Sequence, residues 1–264
     1  MTQLKLRTLL AAFSLLFVLG YGASAFAELD AKAMKQRLAE LDERQRSFGD
    51  YTAMLYMEQK EKGKSDLVYQ AITHRREDEE KFVFLFLKPK TEAGKGYLRI
   101  DKNLFLYDPT VGRWERRTER ERIGGTDSRR QDFDAKNLHK NYEPTYVAEE
   151  KLGKFTVHHL KLKAREGAST PFPVMDLWLD KETNNILKQQ DSSASGKVLR
   201  TLYYPKWETL ARPNGNGSVS FPREIRIYDE LSKGNQTIIV IQKVELKDLP
   251  DNLFTKAWLE SKSR

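Results

Sequence analysis

The chain has 264 residues, 32% of them charged, with 46 Lys+Arg against 38 Asp+Glu, a formal net charge of +8 and no cysteine. The lack of cysteine excludes disulfides, thiol catalysis, thiolate metal sites and a lipid-modified N-terminal Cys. A basic balance points to nucleic acid, anionic membrane surfaces or acidic proteins as partners, and the export signal that opens the chain sets nucleic acid aside.

Residues 1–27 read as a cleaved signal peptide. Lys5 and Arg7 precede an apolar run from Leu9 to Gly20, and Ala23-Ser24-Ala25 and Ala25-Phe26-Ala27 offer small-x-small cleavage sites. The run is shorter than the ~20 residues a spanning helix needs. With export and no cysteine, the expected location is the periplasm of a Gram-negative bacterium. Residues 28–264 are expected to form a single domain.

Glu28 to Arg46 predicts a helix, with Leu29, Ala33, Leu38 and Leu41 at helical spacing. From Asp50 the period becomes two. Strands are predicted at Tyr51–Glu58, Leu67–Arg75, Phe82–Lys88, Tyr97–Asp101, Leu104–Asp108 and Trp114–Arg117, separated by turn residues such as Gly63, Pro89, Gly94 and Pro109. Ile123 to Tyr142 breaks the rhythm, with a short helix near Asp132 to His139. Strands resume at Tyr146–Glu150, Phe155–Ala164, Val174–Asp180, Ile186–Asp191, Val198–Tyr204, Ser220–Tyr228 and Gln236–Val244, and Leu253 to Leu259 forms a terminal helix or arm. This order predicts an α+β architecture in which a strongly curved antiparallel sheet of about ten strands wraps a helix or lid.

The strand Phe82–Lys88 is apolar on both faces. Phe82, Phe84 and Phe86 share one and Val83, Leu85 and Leu87 the other. A sheet exposed on one side needs one apolar face, so this strand is covered twice, either sandwiched in an ordinary core or with a helix on one side and a lid or an apolar cavity on the other. In Arg113–Arg122, Arg116, Thr118, Arg120 and Arg122 would share a strand face able to meet phosphate headgroups or an acidic partner. A charged edge that blocks strand pairing accounts for the same pattern.

Catalytic and metal-binding patterns are poor. His158 and His159 are adjacent on a predicted strand and point to opposite faces. Gly124-Gly125-Thr126-Asp127-Ser128 lacks the spacing of a phosphate loop. Asp176 and Asp180 lie roughly 13 Å apart along a strand, too far for paired-carboxylate hydrolysis. No catalytic residue, metal site or cofactor is expected.

Several segments, in this order and spacing, carry a resemblance. They are Lys88-Pro89, Gly94-Lys95-Gly96-Tyr97-Leu98, Leu104-Phe105-Leu106-Tyr107-Asp108-Pro109, Arg113–Arg117, Gly125-Thr126-Asp127-Ser128 leading to Asp132, Leu177-Trp178-Leu179-Asp180, Gly196-Lys197-Val198-Leu199-Arg200 and Leu253-Phe254-Thr255. Together they resemble the outer-membrane lipoprotein-sorting (LolA-like) protein family, in its larger, poorly characterised branch. Thr126 stands where that branch usually has Ser, and Phe105 where Trp is common. The resemblance implies an unclosed β-barrel of about eleven strands with helices over its mouth and an apolar concave face that accepts acyl chains. It implies a carrier of lipoprotein or lipid acyl chains toward the outer membrane, with no catalysis. It leaves room for an inner-membrane transporter as partner, for transient membrane contact and for a monomer. The other reading is an accessory or regulatory subunit of an export or efflux complex without cargo. Strand phase nominates Leu55, Met57, Phe84, Phe86, Leu98, Phe105, Tyr107, Leu177 and Leu179 as cavity lining, and Arg116, Arg120 and Arg122 as headgroup or partner contacts. A slip of one residue would invert each set.

Overall fold

The computed structural model describes residues 28–263 except 102, 119, 120, 130, 131, 133–135, 214 and 216. The signal-peptide reading lies outside the described residues. Helix α1 (Ala31–Arg46) starts where Asp30 accepts the Ala33 N–H at 2.7 Å, and it buries Met34, Leu38 and Leu41 on one stripe. Gly49, at φ 62°, turns the chain into the sheet.

The strands are β1 (Asp50–Lys60), β2 (Leu67–Arg76), β3 (Lys81–Lys88), β4 (Gly96–Ile100), β5 (Asn103–Asp108), β6 (Arg113–Arg117), β7 (Tyr142–Leu152), β8 (Phe155–Ala164), β9 (Val174–Asp180), β10 (Ile186–Ser192), β11 (Val198–Ala211), β12 (Ser218–Asp229) and β13 (Gln236–Leu246). They form one sheet in the order β6-β5-β4-β3-β2-β1-β13-β12-β11-β10-β9-β8-β7. Every paired neighbour is antiparallel, and only the β1–β13 seam joins strands distant in sequence. The expected unclosed, curved sheet is present, but it has thirteen strands where about ten, then about eleven, were expected. The two free edges, β6 and β7, are consecutive in the chain. The connector between them places Ile123 and Leu138 in the core of the inner face. Within this connector lies helix α2 (Leu138–Asn141), and the segment expected near Asp132–His139 falls partly outside the described residues.

β1 shows how pattern becomes packing. Tyr51, Ala53, Leu55 and Met57 are buried, and the residues between them are half-buried. The inner face holds the main core, which includes α1 Leu38, β3 Phe82, Phe84 and Phe86, β9 Leu177 and β13 Ile239. The outer face of β3–β5 has its own core. There Val83, Leu85 and Leu98 pack under Leu249, Leu253, Phe254 and Leu259. The last three belong to a 3₁₀ turn (Asp251–Phe254) and helix α3 (Lys256–Lys262). Gly96 makes this docking possible, because a Cβ there would lie 2.8 Å from Leu259 and from the Phe84 carbonyl. The double cover expected for β3 is thus the inner core on one side and the C-terminal arm on the other.

Candidate ligand cavity

A cavity of ≈ 180 Å³ lies on the inner face between α1, the connector and strands β1, β2 and β10–β13. Its wall is largely branched aliphatic. Ile225 and Ile227 come from β12, Ile239 and Ile241 from β13, Leu55 from β1 and Leu202 from β11. Strand alternation puts these residues inward. Ile225 pairs with Ile239 across β12–β13, and Leu202 with Ile227 across β11–β12. Phe48, Tyr51 and Phe221 form an aromatic group at one end, with Phe48 and Phe221 centroids 4.9 Å apart.

The cover over this hollow is held by polar contacts. Asp42 of α1 accepts the Leu138 and His139 N–H groups, each at 2.8 Å, and so caps the start of α2. Burial pushes the Asp42 carboxyl upward against those two hydrogen bonds. Arg44 donates to Asn185 Oδ1 at 2.5 Å and Thr183 O at 2.9 Å, tying α1 to the β9–β10 turn. The connector is latched further along. Asp127 N–H donates to Thr237 Oγ1 at 2.8 Å, and Gln59 Nε2 donates to Asp127 Oδ2 at 3.1 Å. Arg200 binds Asp132 through two nitrogens at 2.9 and 2.5 Å and Asp191 at 2.6 Å. Arg75 and Glu77 form a buried pair at 2.7 Å on the cavity wall, and Tyr51 donates to the same carboxylate at 3.2 Å.

The other half of the inner face is filled. Tyr69, Phe84, Phe86 and Tyr97 pack ring against ring at centroid distances of 5.1–6.5 Å. The connector seals this half with Ile123, buried in the same core. Gly124, at φ 60°, lies flat on the Phe86 ring, where a Cβ would come within 2.6 Å.

The nominated lining residues divide into three groups. Leu55 lines the cavity. Met57, Phe84, Phe86, Leu177 and Leu179 face inward into the same core but are packed among protein side chains. Leu98, Phe105 and Tyr107 face outward, which corrects their assignment. Leu98 pairs with Val83 and with Phe105, so all three share the face covered by the C-terminal arm, and Lys256 Nζ sits 4.5 Å over the Phe105 ring. On β4 it is Tyr97 that points in. Period two assigns residues to sets without saying which set is concave.

The basic strand face also needs correcting. β6 ends at Arg117, so Arg122 is not on it. Arg122 belongs to the connector and pairs with Asp127 and Asp229, each at 3.4 Å. Arg116 is exposed on the edge strand, and Arg120 lies outside the described residues. Sequence reasoning placed β12 and β13 but passed over their isoleucines. The signal was present as Ile225-x-Ile227 and Ile239-x-Ile241, the same alternation that marked β1 and β3. The polar latches carried no sequence signal, since Asp42 and Leu138 are 96 residues apart.

Among the described residues no group of His, Asp and Glu could hold a metal ion, and no helix is long and apolar enough to cross a membrane.

A family model described as "uncharacterized protein" matches residues 78–261. Three solved structures share the fold. A domain described as outer membrane lipoprotein-sorting, from Vibrio parahaemolyticus, is 18% identical with a TM-score of 0.73, and the match covers 88% of this chain and 100% of that one. A DUF1329 family protein from Desulfovibrio piger is 17% identical with a TM-score of 0.76, covering 87% and 98%. A LolA superfamily protein from Nitrosomonas europaea is 20% identical with a TM-score of 0.69, covering 87% and 99%. No curated protein matches the chain.

Proposed function

The chain belongs to that uncharacterized-protein family, built on the LolA-like lipoprotein-sorting fold, and from this premise we propose that it is a periplasmic carrier that shelters acyl chains in the cavity beneath α1 and catalyses nothing. The observation that carries the reading is the aliphatic hollow itself. Five isoleucines and four leucines converge on empty space of ≈ 180 Å³, in a protein whose other half is packed solid. Apolar hollows cost stability, at about 24 cal/mol per Å³ of residual cavity. Each methylene that enters regains ~0.8 kcal/mol.

The size sets a constraint. An engineered cavity of about 150 Å³ accepts benzene, so the hollow as it stands, which is only partly enclosed, holds a few methylenes and not a whole long chain. Uptake of a full chain requires α1 or the connector to yield. Hydrogen bonds to Asp42 and from Arg44 suit that, because water can replace them at a net cost of about 1.5–3 kcal/mol each. Release to an acceptor follows the same path in reverse.

The test is chain binding by the purified protein, followed with 1-dodecanol, in wild type and in Ile239→Trp. The wild type is expected to bind and the bulky ring to block binding while the fold survives. If the wild type binds no chain at all, the carrier reading fails. The rival reading, an accessory subunit of an export complex, draws on the filled half, where Phe84 and Phe86 leave no room for cargo. It predicts a stable stoichiometric membrane complex with no lipid extracted from it.

A further inference from the structure

Resting on the acyl-chain reading, we infer that the occupant is a single long-chain carboxylate whose head is held by Lys136 and Tyr204. Lys136 lines the cavity from the connector. Its Nζ donates to Gln189 Oε1 at 2.6 Å and to the Tyr204 hydroxyl at 3.4 Å, and it lies 5.7 Å from the Tyr204 ring centre. Both partners are neutral. Gln189 is 2% exposed and Tyr204 8% exposed, while Lys136 itself is half-buried.

Of the other described charged groups on this wall, Arg44, like Lys136, donates to neutral oxygens, with the Glu40 charge nearby, and the rest have direct partners. Arg75 pairs with Glu77, and Asp132 pairs with Arg200. Asp42 accepts two backbone amides, and Arg44 is directed at the oxygens of Thr183 and Asn185. Among the described residues no carboxylate pairs with Lys136. Gln189 passes its amide on to Asp191 at 2.7 Å, but the other oxygen of that acid is taken by Arg200 at 2.6 Å.

An ammonium beside an aliphatic hollow whose partners among the described residues are neutral is weakly compensated. It becomes favourable when the ligand brings the anion. Lys136 has three N–H donors, of which two are directed at neutral oxygens, and the Tyr204 hydroxyl proton has no acceptor among the described residues. A carboxylate between them would receive one hydrogen bond from each. Its chain would run onto Leu202, two residues along β11 on the same face, and onto Leu202's cross-strand partner Ile227. A hollow of ≈ 180 Å³ that must widen to take one chain has no room for several, and a neutral acyl ester would bring no anion to Lys136.

Titration calorimetry on the purified chain compares laurate with 1-dodecanol, which has the same length and no charge. The wild type is expected to prefer laurate by at least about tenfold, the effect of one charge-assisted hydrogen bond. Lys136→Met is expected to abolish the preference while keeping its affinity for dodecanol, and Lys136→Arg to retain it. Tyr204→Phe, which keeps the ring and so guards against a misfolded Lys136 variant, is expected to weaken laurate about threefold or more and leave dodecanol unchanged. Equal affinities in the wild type, or a preference that survives Lys136→Met, would overturn the headgroup assignment and leave chain binding intact. Failure to bind either compound would overturn the carrier reading and this inference with it.

Discussion

The two halves of the inner face are built from the same strand pattern and end differently. Over β2–β5 the inward residues include five aromatic rings beside Ala71 and Leu104, and the connector closes on them with Ile123 and a glycine laid flat on Phe86. Over β1 and β10–β13 they are mostly isoleucine and leucine, and the cover is α1, tied down by Asp42 and Arg44. Rings with large areas and few rotamers interdigitate into a solid. Branched aliphatic side chains of similar length stand side by side and leave a gap when the opposing element is held off. One half is therefore the structural anchor of the fold and the other a vessel.

Truncating each half should separate these roles. Phe84→Ala removes a fully buried ring from the solid half. It is expected to cost about 3–5 kcal/mol in urea unfolding, while molecules that remain folded bind dodecanol normally. Ile239→Ala trims a wall that already borders empty space, so fewer contacts are lost. It is expected to cost only about 2 kcal/mol and to raise the affinity for bulkier chains. Equal stability losses with equal loss of binding would erase the distinction between the halves.

The cover should respond more than the wall to a polar change. Asp42→Ala strands the Leu138 and His139 amides and removes the link from α1 to α2. The expected loss is about 1–2 kcal/mol, as for a helix cap. Chain uptake in stopped-flow should become faster, because opening no longer breaks those two hydrogen bonds. An unchanged uptake rate would assign the opening to another element.

The fold was more legible than the site, for a reason these residues illustrate. Strand positions follow from local alternation, and the apolar sets of β1 and β3 could be read directly. Which set is concave depends on partners far along the chain. Phe84 faces in because α1 and the connector lie on that side, and Leu98 faces out because residues 249–259 return to cover it. Nothing within β4 distinguishes Tyr97 from Leu98 in that respect. Arg122 read as one more basic strand residue until the connector turned it toward Asp127 and Asp229. Lys136 sat in the segment that broke the rhythm, and its significance rests on Gln189 and Tyr204, 53 and 68 residues away.

The outer face offers the mildest contrast with the hollow, since its cover is apolar and packed on both sides of the contact. His74 lies beneath it. Its ring meets the edge of Trp258 at 5.3 Å, and its Nδ1 shares a hydrogen bond with Thr52 Oγ1 at 2.8 Å. Burial, and secondarily Lys247, lowers its pKa to about 4. The unfolded chain, with histidine near 6.5, takes up the proton first. Stability is therefore flat above about pH 6.5 and falls as the pH drops from there toward 4. The half-buried ring is partly screened by solvent, so the expected loss is of the order of 1 kcal/mol. His74→Gln should flatten this part of the profile in urea melts at pH 7 and 4.5. A slope in the same direction should remain from His158, whose pKa burial also lowers. If His74→Gln left the slope untouched, the C-terminal arm would have to ride loosely enough over β2 and β3 for water to reach the imidazole, and the outer cover would be as yielding as the inner one.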